Sequence, residues 1–110
     1  MGKSKPILVT LKGQEKFTRI LSGFPETMGI KSGHVVLKPG ENVGEHVTEA
    51  KEEVIVVLRG KAMILCGNDD EPIVAGAHSV VYVPPETAHD VKNIGGDVLE
   101  YVYVVSPVNS

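Results

Sequence analysis

The 110-residue sequence contains one cysteine, no tryptophan and only 5% aromatic residues. A single cysteine, Cys66, excludes a disulfide framework. The 11 Lys and Arg residues are scattered and the net charge is −3, so the sequence predicts neither nucleic acid nor an anionic membrane surface as a partner. The longest apolar runs, Val54–Leu58 and Val80–Val83, are too short to cross a membrane. Because no secretory signal pattern opens the chain, the cytoplasm is the predicted location.

Several catalytic and nucleotide-binding motifs are also missing. The sequence has no Gly-x-Ser-x-Gly elbow, no P-loop, no Gly-x-Gly-x-x-Gly fingerprint and no Cys-x-x-Cys pair. These absences give no support to a serine hydrolase, a nucleotide-binding enzyme or a dithiol redox protein. Any chemistry must therefore come from another arrangement of side chains.

Short apolar runs separated by turn residues dominate the chain. Strand and turn signals recur about every ten residues, which is typical of a β-sandwich or barrel. No window shows the 3.6-residue apolar period of an amphipathic helix. The length fits one domain, residues 1–110. The predicted strands are Ile7–Leu11, Phe17–Leu21, His34–Lys38, Val54–Leu58, Ala62–Cys66, Ser79–Val83 and Leu99–Val105.

The run Val54–Leu58 is apolar at every position, which indicates a strand covered on both faces. The barrel interior would cover one face. The strands predicted within residues 1–25, or a second subunit, would cover the other. With so few residues available to cover both faces, the sequence predicts a homodimer.

Residues 40–60 and 76–93 resemble the two sequence motifs of the cupin superfamily, whose members are small antiparallel β-barrels. Thr48 stands where the family's first motif has its second histidine. His78 and Glu86 stand where its second motif has glycines. The matching positions are Gly40, His46, Glu53 and Gly60 in the first motif and Pro84, His89 and Asn93 in the second. The resemblance implies an all-β fold of the antiparallel double-stranded β-helix (jelly-roll) type.

Strand alternation separates Glu53 from the adjacent Glu52. Glu53, Ile55 and Val57 share one face, which we expect to point into the barrel, and Glu52 points away. A buried carboxylate is costly without a partner, and a divalent cation held between His46 and His89 would remove that cost. The alternative is a hydrated Glu53 at the barrel mouth, in contact with Arg59 or Lys61.

The resemblance implies a divalent transition metal bound by His46, Glu53 and His89. With Thr48 in place of an imidazole, three arrangements are open. Two histidines and one carboxylate suit Fe, Mn, Ni or Zn. His34, on a strand just before the first motif, is a candidate fourth ligand or pocket residue, as is Thr48 itself. Otherwise the site is a relic that binds metal weakly.

Two functions follow from the resemblance. One is a metal-dependent enzyme of the dioxygenase or isomerase type acting on a small molecule. The other is a non-catalytic module that binds or senses a small ligand in the barrel. The sequence does not decide between an enzyme and a binding protein, because cupins share one fold across many chemistries.

Overall fold

The computed structural model describes residues 5–67 and 71–108, and these residues form nine β-strands and no helix. None of them belongs to a helix with the length and hydrophobicity needed to cross a bilayer. The strands are β1 (Phe17–Ser22), β2 (Lys31–Leu37), β3 (His46–Val47), β4 (Lys51–Arg59), β5 (Lys61–Cys66), β6 (Ile73–Gly76), β7 (Ser79–Val83), β8 (Ala88–Asn93) and β9 (Leu99–Pro107).

The strands form two antiparallel sheets, as predicted for a double-stranded β-helix. The large sheet has the order β1-β2-β9-β4-β7 and the small sheet the order β3-β8-β5-β6. Side chains from the two inner faces form one core, with Leu37 and Ile55 from the large sheet and Ile64 and Val91 from the small one. Burying each of these side chains contributes about 1.5–3 kcal/mol, so the core fixes how the sheets face each other.

Strand β4 has the predicted alternation. Glu53, Ile55 and Val57 are buried on the inner face, at 5%, 0% and 0% exposure. Val54 and Val56 lie on the outer face and are half-buried. The face predicted for Glu53 is therefore confirmed.

Two features differ from the sequence prediction. Residues Ile7–Leu11 form no strand, and Leu8 is 90% exposed. β1 is hydrogen-bonded only to β2 among the described strands, and residues 7–11 form no ladder with its other edge. The sequence prediction also omitted three short strands. In β3 and β8 polar residues interrupt the apolar runs that mark a strand, and β6 has only four residues and ends in glycine.

The structure shows why the first motif has a glycine at position 60. Gly60 joins β4 to β5 with a φ of +92°, and a Cβ there would lie 2.5 Å from the Val98 carbonyl oxygen. Only glycine fits both the left-handed backbone and this close approach. The tight turn passes the chain directly from the large sheet to the small one.

Candidate functional site

Three side chains from both sheets converge inside the barrel. Glu53 projects from β4 of the large sheet, and His46 and His89 project from β3 and β8 of the small sheet. The two histidines are directly opposite each other in the antiparallel β3–β8 pair, and their ring centroids are 4.2 Å apart. These are the three residues predicted from the motifs, and the fold brings them together.

The carboxylate lies between the two imidazoles. Glu53 Oε1 is 3.1 Å from His89 Nε2 and 3.9 Å from His46 Nε2. His89 is fully buried, whereas the His46 side chain is 51% exposed. Neither Arg59 nor Lys61 forms an ion pair with Glu53, so the alternative of a hydrated Glu53 at the mouth is wrong. The cluster has one closed side and one side open to solvent.

Backbone carbonyl groups orient both rings. His89 Nδ1 lies 3.3 Å from the Thr87 carbonyl oxygen, and His46 Nδ1 lies 3.2 Å from that of Gly44. A carbonyl oxygen only accepts hydrogen bonds, so each Nδ1 is assigned the proton. In the neutral form of each ring, Nε2 then carries the lone pair and faces Glu53. This is the tautomer that a metal-binding imidazole needs.

His89 Nε2 is buried and has no aligned hydrogen-bond partner among residues 5–67 and 71–108. Glu53 Oε1 is 3.1 Å away, but the contact lacks hydrogen-bond alignment. Burial lowers the pKa of His89, but Glu53, the Thr87 carbonyl and Asp90 raise it by more, and the net pKa lies above the ordinary value. The pocket therefore favours positive charge at this atom.

The donor set fits a transition metal ion. The three ligand atoms lie within 4.8 Å of one another. Bonds of about 2.1 Å at angles of about 90–110° place neighbouring donors about 3.0–3.4 Å apart. The 3.1 Å distance agrees with that range and the 3.9 Å distance exceeds it slightly, on the side of the more exposed His46. A cation would also satisfy the otherwise unpaired Nε2 of His89.

Thr48 is buried, and its hydroxyl is hydrogen-bonded to backbone groups. Oγ1 donates a hydrogen bond to the Pro84 carbonyl oxygen at 2.8 Å and accepts one from the Thr87 amide at 3.0 Å. The Thr48 amide also donates to the Thr87 carbonyl oxygen. Thr48 thus holds the end of β3 against the segment that leads into His89, which is a structural role distinct from metal ligation.

We expect Thr48→Val, which removes the hydroxyl but keeps the side-chain size, to lower the free energy of unfolding by about 1–2 kcal/mol. The Pro84 carbonyl and the Thr87 amide would each lose a partner. Thr48→Ser keeps the hydroxyl and serves as the matched control, with a loss of less than about 1 kcal/mol. Urea denaturation of metal-free protein measures both, and equal losses in the two variants would contradict this role.

His34 does not join the cluster. Its neighbours Val35 and Leu37 belong to the core, and strand alternation therefore directs His34 to the outer face of β2. There its Nε2 lies 2.6 Å from Glu100 Oε2. The possibility of His34 as a fourth ligand or pocket residue is therefore not supported by its position.

Two further residues have supporting roles: Asp90, to which sequence reasoning assigned none, and Asn93, whose side-chain amide was expected to hold a turn. Asp90 accepts hydrogen bonds from the Gly44 amide and from the Asn42 side chain, and so fixes the loop whose Gly44 carbonyl orients His46. Asn93, which matches the second motif, forms side-chain hydrogen bonds with the backbone of Leu37, Asp97 and Gly95. The alternation of His89, Val91 and Asn93 inward with Asp90 outward was the signal available in the sequence.

Sequence relatives share most of the chain. A protein named as oxalate-binding from Thermotoga maritima is 30% identical over 97 residues, covering 86% of this chain and 77% of its own. An uncharacterised protein of Methanocaldococcus jannaschii is 29% identical over 90 residues, covering 82% of this chain and 76% of its own.

Solved structures and a family profile agree with the fold. The crystal structure of an RmlC-like cupin family protein with a double-stranded β-helix fold, from Methanocaldococcus jannaschii, superposes with a TM-score of 0.73. The two sequences are 24% identical, and the alignment covers 93% of this chain and 91% of the Methanocaldococcus chain. The profile of the Cupin domain family matches residues 33–105, which include both motifs and all three clustered side chains. The chain belongs to the cupin family.

Proposed function

We propose that His46, Glu53 and His89 bind one divalent transition metal ion, Fe, Mn, Ni or Zn, inside the barrel. The observation that carries the proposal is the buried, unpaired Nε2 of His89 beside the buried carboxylate of Glu53. Two lone pairs and a carboxylate repel one another unless a proton or a cation lies among them. Membership of the cupin family and the tautomers assigned to both rings support a metal in that position.

We propose further that the metal centre acts on a small molecule, in a reaction of the dioxygenase or isomerase type. A bound metal of this kind supplies a Lewis acid or a centre for oxygen chemistry, and a set of two histidines and one carboxylate leaves positions open for a ligand. The protein contributes an apolar wall of core side chains and an open side at His46. Burial raises the pKa of Tyr101, with Glu53 adding to the shift, so its phenol stays neutral near the site.

Binding without catalysis is the second candidate function. The printed name of the Thermotoga maritima relative states that it binds oxalate, which favours a small ligand here without requiring a reaction. The exposed position of His46 also suits a site from which a ligand exchanges readily. Turnover of a ligand by the metal-loaded protein would separate the two candidates, because a binding module returns the ligand unchanged.

The test of metal binding is elemental analysis of protein purified without chelator, after growth with added iron, manganese, nickel and zinc. We expect close to one metal ion per chain. A metal ion that binds only the folded state, at a free concentration 100 times its dissociation constant, stabilises the protein by about 2.7 kcal/mol. Removing the metal with a chelator should therefore lower the melting temperature by several degrees. Protein that carries far less than one ion and melts alike with and without chelator would contradict the proposal.

The outer face of the large sheet supports the homodimer predicted from the sequence. Val80 and Tyr82 are 66% and 54% exposed there, and the paired Val54 and Val56 of β4 are half-buried. Contiguous apolar strand surface of this kind marks an interaction face. We propose that a second copy of the chain covers it, and we keep the cytoplasm as the proposed location.

A further inference from the structure

A cation and two aromatic rings share the inner face of the large sheet with Glu53. Arg19 of β1 and Tyr103 of β9 are both paired with Gly33 of β2, one on each side. Phe17 is paired with the core residue Val35, so alternation directs Phe17, Arg19 and Tyr103 to the concave face that also carries Glu53.

Gly33 makes this arrangement possible. A Cβ at that position would lie 2.6 Å from the Tyr103 ring and 2.7 Å from the Phe17 ring, so the two rings occupy the space that a side chain would fill. Their centroids are 6.3 Å apart in a stacked arrangement. The Arg19 guanidinium lies 5.6 Å from the centre of the Phe17 ring, a distance at which a cation–π contact orients it.

The Tyr103 hydroxyl lies within the field of two opposite charges. Burial raises the pKa of Tyr103, the Arg19 guanidinium opposes this shift, and the Glu53 carboxylate reinforces it. Tyr103 is paired with Ile55 of β4, two residues from Glu53, and diagonal neighbours on adjacent strands are about 7–8 Å apart. Tyr103 therefore lies between Arg19 and the metal-binding cluster.

Arg19 is available to a ligand. It is exposed, and no carboxylate among residues 5–67 and 71–108 forms an ion pair with it. Phe17 keeps 46% of its surface exposed on the same concave face. A planar guanidinium accepts a carboxylate through two parallel hydrogen bonds, and the neutral Tyr103 phenol is a further donor.

We propose that Arg19 and Tyr103 bind a carboxylate of a small organic dianion whose other carboxylate reaches the metal. This inference rests on the proposed metal site and specifies its substrate class. A divalent ion with two neutral imidazoles and one carboxylate has a net positive charge, so both ends of the ligand would meet positive groups. The exposed face of Phe17 would pack against the carbon chain between them.

The test uses Mn²⁺-loaded protein and isothermal titration with succinate, acetate and the neutral diamide succinamide. We expect succinate to bind more tightly than the other two. In Arg19→Gln the dissociation constant for succinate should rise about tenfold or more, because the charge-assisted pair is lost. Tyr103→Phe should cause a smaller rise of about threefold. The affinity for Mn²⁺ itself should not change in either variant.

Lys92→Gln is the matched control, because it removes one exposed cation from β8 of the small sheet. We expect it to leave succinate binding unchanged. If Arg19→Gln binds Mn²⁺ and succinate as the wild type does, the carboxylate subsite is overturned while the metal proposal stands. Equal weakening in Lys92→Gln, or equal binding of succinate and succinamide, also overturns it. A wild-type protein that takes up none of iron, manganese, nickel and zinc overturns the metal proposal and this inference together.

Discussion

Replacing His89 with alanine is expected to lower the affinity for the metal by on the order of 100-fold or more, since even groups that only support a ligand contribute 10–100-fold. His89 is the fully buried imidazole of the cluster, and its Nε2 lies 3.1 Å from the Glu53 carboxylate. Without it, only Glu53 and the half-exposed His46 would face the ion. Competition with a chromophoric chelator, using Zn²⁺ and Mn²⁺, measures the loss.

His78→Asn is the control for this experiment. His78 is an exposed histidine in the turn before β7, with a φ of +69° that asparagine tolerates. This variant should bind metal as the wild type does. Circular dichroism of the His89→Ala protein checks that the barrel still forms. Metal bound at wild-type affinity by folded His89→Ala would mean that the ion lies elsewhere.

Replacing Asn93 with alanine is expected to lower the free energy of unfolding by about 3 kcal/mol, because three backbone groups lose their partner at once. The Asn93 side chain is 1% exposed. Its amide donates to the carbonyl oxygens of Leu37 and Asp97, and its carbonyl accepts from the Gly95 amide, each at 2.9 Å. These bonds link the ends of β2 and β8 to the turn before β9.

Asn42→Ala makes the same chemical change at an exposed position. The Asn42 side chain donates one hydrogen bond, to Asp90 at 2.7 Å, and its removal should cost less than about 1 kcal/mol. Chemical denaturation of the two variants and the wild type, all in chelator, separates the effect from metal binding. Similar losses for Asn42→Ala and Asn93→Ala would refute the assigned role of Asn93.

Local patterns predicted the features that depend on short-range geometry. Side chains alternate along a strand with a period of two, so the inward face of β4, with Glu53 on it, followed from the order of residues. The structure then showed that Glu53 is buried there. Turn residues recurring between apolar runs predicted an all-β chain. The same reasoning failed for β8, where a histidine and an asparagine occupy inward positions that are apolar in most strands.

The roles of Thr48 and His34 could not be predicted from local sequence patterns. Which group meets the Thr48 hydroxyl depends on how closely β3 lies to residues 84–87, which are far away in the chain. Whether His34 reaches the cluster depends on its face, and Glu100 on β9 fixes it on the outer one. Both outcomes rest on strand pairing over long sequence separations.

The amino-acid sequence by itself determined the all-β class, because strand alternation and turn spacing are local properties of the chain. Its resemblance to the two cupin motifs implied the three residues of the cluster. Only the tertiary structure decided that His46 and His89 lie opposite each other, and that Arg19 shares a concave face with Glu53 through Gly33. It also decided that His89 Nε2 has no aligned hydrogen-bond partner within the described part of the chain. Those facts follow from the register between distant strands, which depends on the packing of both sheets around one core.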